Sequence, residues 1–535
     1  MSMDWVGGKW LVEKYQIKLA QRLRVESVIG KSRKTSSSAE LTAQEFPEGF
    51  RSAETLPGNL TFMFKYEEMH FELLSRLFNA IDQTELEAWI KSESTGAYAR
   101  RAGFFFEWFT DRQLNVDDLS QGNYIDAIDS SAYFSAPQPE SVKRWRVRNN
   151  LPGTRDFCPL INITDKVQSA QNYDCAAALT GLEVKFGAEV LLRSSVWLTI
   201  KESRASFAIE HEENREDRIR RFAVVMESRC GELDNPLSLL DLERLQAEIL
   251  GENALTYGVR QSPVFVGHSV GYREVVDYIA PHWEKAPAML GGLSDTLTRT
   301  QGTSPIVRAT IASFGFVYIH PMADGNGRIS RFLVNDILRR DNAVPKPFIL
   351  PISATITHST TAKAGYDQSL EVFSKDLMKA YAENFSFGQS ETYGDGIESN
   401  FHFSAYDHAL PAWRYPNLTS QVEYMGKVIR QTIEEEMRDE ALYMRNIHRA
   451  RRAVKKIIEG PDATIDRIIS SIWTNKFVSN KLRKKFSIFE DEEKSSKIVQ
   501  VVLQAFRTDP EEGLFDDEDG DEDSDEDNAS LVYRR

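Results

Sequence analysis

The sequence predicts a mainly α fold: a helical bundle carrying one β-hairpin, flanked by helical N- and C-terminal regions and followed by an acidic tail. Three observations carry this. Apolar residues recur three and four apart over residues 62–90, 98–109, 178–227, 237–250, 286–297, 305–319 and 370–385, the spacing that lines one helix face. Only residues 264–281 combine β-branched and aromatic residues around a glycine (VFVGHSV, then YREVVDYIAP), as a strand pair does. A charged periodic stretch over 420–460 reads as one long helix, and 463–506 as shorter ones.

Taken in order, residues 1–60 mix a short amphipathic start with a Ser/Thr-rich loop at 35–38. The string VESVIGKS (25–32) ends like a phosphate-wrapping loop, but Val25 stands where the opening glycine is needed, so it is set aside. The block Phe104, Phe105, Phe106, Trp108 and Phe109 reads as packing core rather than a base-stacking surface. KRWRVR (143–148) alternates basic and apolar residues, either a basic strand face for an anion or ordinary surface. Residues 388–400, rich in Gly, Ser and Asn, read as a loop. The chain thus divides into an N-terminal, mainly helical region (1–177), a core (178–355), a helical and loop connection (356–415), a C-terminal helical module (416–507) and a tail (508–535).

A chain of 535 residues is long enough for about three or four domains. Its net charge of −15 is local: thirteen acids and no base lie in residues 509–527, and the remainder is close to neutral. Such a run repels itself and has little to bury, so the tail is expected to be disordered. Three widely spaced cysteines (Cys158, Cys175, Cys230) supply neither a disulfide framework nor zinc-ligand spacing, which fits a reducing compartment. There is no signal-peptide pattern and no uncharged apolar run of about eighteen residues. A cytoplasmic chain without a membrane partner is expected.

Residues 320–331, HPMADGNGRISR, concentrate chemistry. They follow an apolar helix and open another. His320 has an ordinary pKa near neutrality and can take a proton from a hydroxyl. Asp324 offers hard oxygens suited to Mg²⁺. Gly325, Asn326 and Gly327 permit a tight turn whose N–H groups converge on an anion at a helix N-terminus. Arg328 and Arg331, three apart, present forked donors on one face. Together they form an inventory for handling a phosphate-linked group; the plainer alternative is a glycine-rich helix connection with an incidental histidine.

The string resembles the signature of Fic-domain proteins, His-x-Phe-x-Asp/Glu-Gly-Asn-Gly-Arg-x-x-Arg, with Met322 in place of the phenylalanine that plugs the core. The likeness covers about residues 205–356, and RWRVRNNLPGTRDFCPL (144–160) is similar to a segment preceding the core in some large bacterial members. The resemblance implies transfer of AMP from ATP to a Tyr, Thr or Ser hydroxyl of a target protein, with automodification as a second outcome. In that scheme His320 is the base, with Asn326 beside it as a catalytic residue. Asp324 holds Mg²⁺ on the α- and β-phosphates. Gly325, Asn326 and Gly327 line the anion hole, and Arg328 and Arg331 take the outer phosphates. The intact Gly327 favours nucleotidyl over phosphoryl transfer and leaves open another nucleotide or a phosphocholine donor. The hairpin residues Val275, Val276, Asp277, Tyr278 and Ile279 match the flap that clamps a target segment by strand addition.

Many relatives carry an inhibitory helix reading Ser/Thr-x-x-x-Glu-Gly/Asn. Ser206 and Glu210 fit it, with His211 at the Gly/Asn position, and Glu210 would pair with Arg331 where the γ-phosphate belongs. Residues 508–513 match the string as well, but they contain Pro510 and open the tail. The plainer alternative makes Glu210 the start of a solvated helix with Glu212, Glu213 and Glu216. A competing function is nucleic-acid binding. Arg445, Arg449, Arg451, Arg452, Lys455 and Lys456, followed by NKFVSNKLRKKF (475–486), suit a winged-helix-like module with DNA as partner. Oligomeric state is not legible.

Overall fold

A computed structural model describes residues 3–38, 41–212, 214–251, 254, 256–271 and 273–507; the acidic run 509–527 and the string 508–513 lie outside them. The fold is mainly α, as expected, with small peripheral sheets.

The N-terminal region departs first. β1 (Trp5–Val6), β2 (Val25–Gly30), β3 (Lys34–Ser37) and β4 (Thr42–Pro47) form a sheet in the order β1-β2-β4-β3, with β2 and β4 parallel and α1 (Gly8–Lys14) between β1 and β2. The supposed Ser/Thr loop is β3. The string VESVIG is β2, whose alternate residues Val25, Ser27 and Ile29 are buried. The periodic stretch 62–90 is not one helix but three: α2 (Leu56–Tyr66), α3 (Phe71–Ala80) and α4 (Gln83–Ser92). Caps make the breaks: His70 Nδ1 accepts from the Leu73 N–H at 3.1 Å and Asp82 from the Thr84 N–H at 3.0 Å. In α5 (Ala97–Thr110), Phe104, Phe105, Phe106 and Phe109 are core, as expected, with Phe105 6.2 Å from Phe71 and Phe106 5.9 Å from Phe78. Gly103 is required here, since a β-carbon would sit 2.4 Å from the Trp145 ring.

The basic run 143–148 is not an anion face. It turns between β6 (Glu140–Val142) and β7 (Val147–Asn149), which form a small sheet with β5 (Ile125–Asp126). Arg144 is spent on Glu107 at 3.0 Å, Arg148 on Asp126 at 2.6 Å, and Arg146 on the carbonyls of Ser120 and Gly122.

The main core gathers α6 (Asp165–Gln171), α7 (Cys175–Phe186), α8 (Ala188–Ile209), α9 (Glu216–Arg229) and α10 (Leu239–Leu250), then the hairpin β8 (Phe265–Val270) and β9 (Arg273–Ile279). α11 (Ala286–Arg299) precedes α12 (Pro305–Ile319), whose side chains are almost all buried, so it lacks a polar face and occupies the centre. α13 (Asn326–Arg340), α14 (Ile352–Thr357) and α15 (Thr360–Tyr381) follow. The expected loop at 388–400 is a second hairpin, β10 (Phe385–Thr392) and β11 (Glu398–Phe403). Its polar residues face water, while Phe387 and Phe401 pack on Phe265 of β8 at 5.5 and 4.8 Å. α16 (Tyr406–Arg414) and α17 (Thr419–Gln431) complete this core, which draws on 356–413 and continues to Ala441.

The long helix expected over 420–460 is α17 joined to α18 (Arg438–Lys455) through a π-helical turn, Thr432–Met437. α18 packs with α19 (Asp462–Asn475), α20 (Asn480–Lys485) and α21 (Glu492–Ala505) around a separate cluster of Val454, Ile465, Ile469, Phe489 and Ile498. The wing of a winged helix is missing: no β-strand occurs among the described residues of this module. Part of its basic character is neutralised internally, by Arg451 on Asp466 at 2.6 Å and Lys455 on Asp462 at 2.5 Å. Among the described residues no helix is long and apolar enough to cross a membrane.

The second hairpin hangs on its rings. Phe401→Ala is expected to cost about 3–5 kcal/mol and to accelerate amide exchange across residues 385–403 while leaving α5 protected. Equal acceleration in both places would refute a local role for the ring.

Candidate active site

α12 delivers His320 at its C-cap. The residue sits at φ 48, in the left-handed region, which costs a non-glycine residue on the order of 1 kcal/mol and marks a position held by its surroundings. Its Nδ1 lies 3.2 Å from the Val317 carbonyl. A carbonyl can only accept, so Nδ1 carries the proton and Nε2 keeps its lone pair. Burial of the ring, reinforced by the nearby Arg260 guanidinium, brings its pKa down to about 4, against the opposing pull of the Val317 contact and Glu210. At neutral pH the imidazole is uncharged.

The turn after it is closed by Asn326. Its Oδ1 accepts from the Met322 N–H at 3.0 Å and its Nδ2 donates to the Met322 carbonyl at 2.8 Å, a pairing that copies a backbone ladder. Both ends of the buried amide thus help to hold the shape of the turn. Met322 is fully buried, filling the plug position. Gly325 takes φ 91 as the N-cap of α13, whose first N–H groups lack intrahelical partners.

Both arginines are already engaged. Arg331 donates from Nε to Ser206 Oγ at 2.7 Å, and from Nη2 to the Ser206 carbonyl at 3.0 Å and Glu210 Oε1 at 2.8 Å. Arg328 donates from Nη2 to Asp324 Oδ1 at 2.6 Å and from Nη1 to Glu212. Two buried donors, Arg328 Nε and Arg331 Nη1, have no hydrogen-bond partner among the described residues. Burial works against the charge on Glu210, but Arg331 outweighs it and holds the carboxyl below the usual carboxylate range. Glu210 Oε1 also overlies Gly327, where a β-carbon would stand 2.0 Å from it. Glu210 does not begin a solvated helix; it ends α8, and His211 follows at φ 58.

Several residues escaped the sequence. Glu212 bridges Arg328 and Arg218, the latter at 2.9 Å. Glu202, fully buried two turns before Glu210 on the same stripe of α8, accepts from the Ser353 N–H and hydroxyl, both at 2.6 Å, and burial pushes its pKa up to about 7. Arg260, 1% exposed, donates from Nε to the His320 carbonyl at 2.8 Å, from Nη1 to Ser262 at 2.8 Å and from Nη2 to Pro281 at 2.6 Å. A string search has no signal for it.

In the hairpin β8–β9, Tyr278 and Ile279 point into the core; the Tyr278 hydroxyl donates to the Tyr318 carbonyl. Val276 is buried as well, so of the five expected clamp residues only Val275 and Asp277 present side chains outward, Asp277 paired with His268 at 2.7 Å. Any clamp would use mainly the strand's backbone.

The arrangement defines a class: a mainly helical protein whose anion-receiving turn lies under the C-terminal end of a neighbouring helix. Residues 236–338, about a fifth of the chain, match the Fic/DOC family model. It is 32% identical over 120 residues to the protein adenylyltransferase fic-1 of Caenorhabditis briggsae, covering 22% of each chain, and equally so to that of Caenorhabditis elegans. Identity to the protein adenylyltransferase Fic of Culex quinquefasciatus is 30% over 118 residues, 20% of this chain and 21% of that one. The match thus spans about a fifth of these relatives' length. Among solved structures, a Fic family protein from Desulfovibrio desulfuricans G20 aligns with TM-score 0.37 at 20% identity, over 55% of this chain and 80% of that one. A Fic domain containing signaling protein from Bacteroides thetaiotaomicron VPI-5482 aligns with TM-score 0.34 at 16% identity, over 52% and 97%.

The His320 ring is expected to titrate with a midpoint near 4 by NMR, and Arg260→Met to move that midpoint upward. Because the folded value lies below the ordinary one, the unfolded chain takes up the proton first, and stability should fall as pH drops from about 6.5 towards 4. A wild-type midpoint near 6.5 would contradict the burial and tautomer described.

Proposed function

We propose that the chain is a protein adenylyltransferase, transferring AMP from ATP to a hydroxyl side chain of a target protein and restrained by Glu210. The observation that carries this is the convergence at one turn of an uncharged imidazole with a free Nε2 lone pair, a helix N-terminus and two buried arginines with donors to spare. The matched relatives bear adenylyltransferase names, which agrees with this reading.

His320 Nε2 takes the proton as the acceptor oxygen bonds to the α-phosphorus, the bond from that phosphorus to the bridging oxygen breaks, and pyrophosphate leaves. The N–H groups opening α13, with Gly325 and Gly327 giving close backbone approach, receive phosphate oxygens. Arg328 and Arg331 neutralise the leaving pyrophosphate once released from Glu212 and Glu210. Asn326 keeps the turn closed throughout. Asp324, now paired with Arg328, is the carboxylate that would hold Mg²⁺, an ion that takes most of its shell from phosphates and water. The ion would supply charge neutralisation on the phosphates.

Glu210 is the proposed brake. While it occupies Arg331 and overlies Gly327, a γ-phosphate and the carboxylate compete for one guanidinium. A buried charge-assisted hydrogen bond contributes about 1.5–3 kcal/mol. Glu210→Gly should therefore raise transfer by roughly 10–100-fold, read as label from α-labelled but not γ-labelled ATP on the protein itself or on a lysate protein. His320→Ala should abolish it. Label from the γ-position would sink AMP transfer, and a Glu210→Gly rate equal to wild type would sink the brake.

A further inference from the structure

We propose that an aromatic cavity on the far side of Arg260 from His320 is a recognition pocket for a positively charged side chain of the acceptor protein. The cavity measures about 410 Å³ and includes His282, Trp283, Tyr393, Phe403, Tyr406 and Glu383 in its lining. It holds no motif residue, so it is separate from the transfer chemistry.

Three observations lead there. His282 and Trp283 stack at 3.8 Å and 24°, and the other rings meet edge to face. Trp283 meets Tyr393 at 5.4 Å and 76° and Tyr406 at 6.4 Å and 80°, His282 meets Tyr406 at 4.9 Å and 89°, and Phe403 meets Tyr406 at 4.9 Å and 87°. Among the described residues, exposed Glu383 is the only acidic one lining the cavity, and neither lysine nor arginine lines it. Aromatic faces and one carboxylate are complementary to a cation.

Position selects the occupant. Arg260 bonds the carbonyls of both His320 and Pro281, so the cavity wall beginning at His282 stands one guanidinium away from the base. Phe401, which also lines the cavity, packs on Phe265 of β8, so the pocket continues the hairpin that is the proposed clamp. Asp395, at the turn of the second hairpin, fixes it to the same segment by accepting from the Gln261 N–H at 2.7 Å and the Ser262 hydroxyl at 2.8 Å. A segment lying along the flap would bring a nearby arginine or lysine to this pocket. The acceptor's being a protein rests on the proposed function; the cation preference rests on the cavity.

The test is titration of the full chain with N-acetyl-arginine amide and with its uncharged counterpart N-acetyl-citrulline amide, read by tryptophan fluorescence in wild type and in Trp283→Phe, with calorimetry alongside. The arginine probe should bind saturably, the citrulline probe at least fivefold more weakly, and the fluorescence change should vanish in Trp283→Phe. Glu383→Lys, at an exposed rim position, should fold normally and lose at least fivefold in affinity for the arginine probe. Equal binding of the two probes, an unchanged affinity in Glu383→Lys, or a response that survives Trp283→Phe would overturn the proposal. AMP transfer by Glu210→Gly is measured without either probe, so loss of arginine binding with transfer intact sinks the pocket alone, and the converse sinks the transferase alone.

Discussion

The site depends on a buried guanidinium that meets no carboxylate. Arg260 gives its donors to three backbone carbonyls, one in the motif turn, one in its own strand-like segment and one just past β9. Taking a charge out of water is expensive, and these charge-assisted bonds offset it only while all three carbonyls stay where they are. The arrangement is therefore all or nothing: the foot of the flap, the turn bearing His320 and the entry segment are fixed relative to one another by a single side chain. The same positive charge helps keep the imidazole beside it neutral. Positioning and protonation state have one origin.

What the sequence revealed and concealed follows from range. The bundle was legible because helices declare themselves in a local period, and the turn because its residue types are set by local needs: a left-handed Gly325, and a Gly327 with no room for a β-carbon. Partnerships across more than a hundred residues left no local trace. Glu202 and Glu212 look like ordinary solvated charges on a polar stretch until Ser353 and Arg328 are brought to them. The pairing of Asn326 with Met322 was likewise hidden, because nothing in the string marks an amide folded back on the backbone. The second hairpin was hidden by composition: its outward positions are Gly, Ser and Glu, and only Phe385, Phe387, Phe401 and Phe403 mark the inner side.

Helix α8 shows how a polar stripe can be as specific as an apolar one. Glu202, Ser206 and Glu210 recur every four residues, the first satisfied by Ser353 of α14 and the other two by Arg331 of α13. Apolar contacts tolerate sliding, whereas these bonds hold only at one register. The stripe ties the proposed restraint to the body of the bundle, so Glu210 is presented to Arg331 by a helix that cannot easily shift along its axis.

His211, at φ 58, directly follows Glu210 in the left-handed region. A β-carbon in the left-handed region costs on the order of 1 kcal/mol, which is absent for glycine and corresponds to about a fivefold change in an equilibrium constant. Under the proposed restraint this cost falls on the residue that immediately follows Glu210, so a glycine there would hold the carboxylate on Arg331 more firmly.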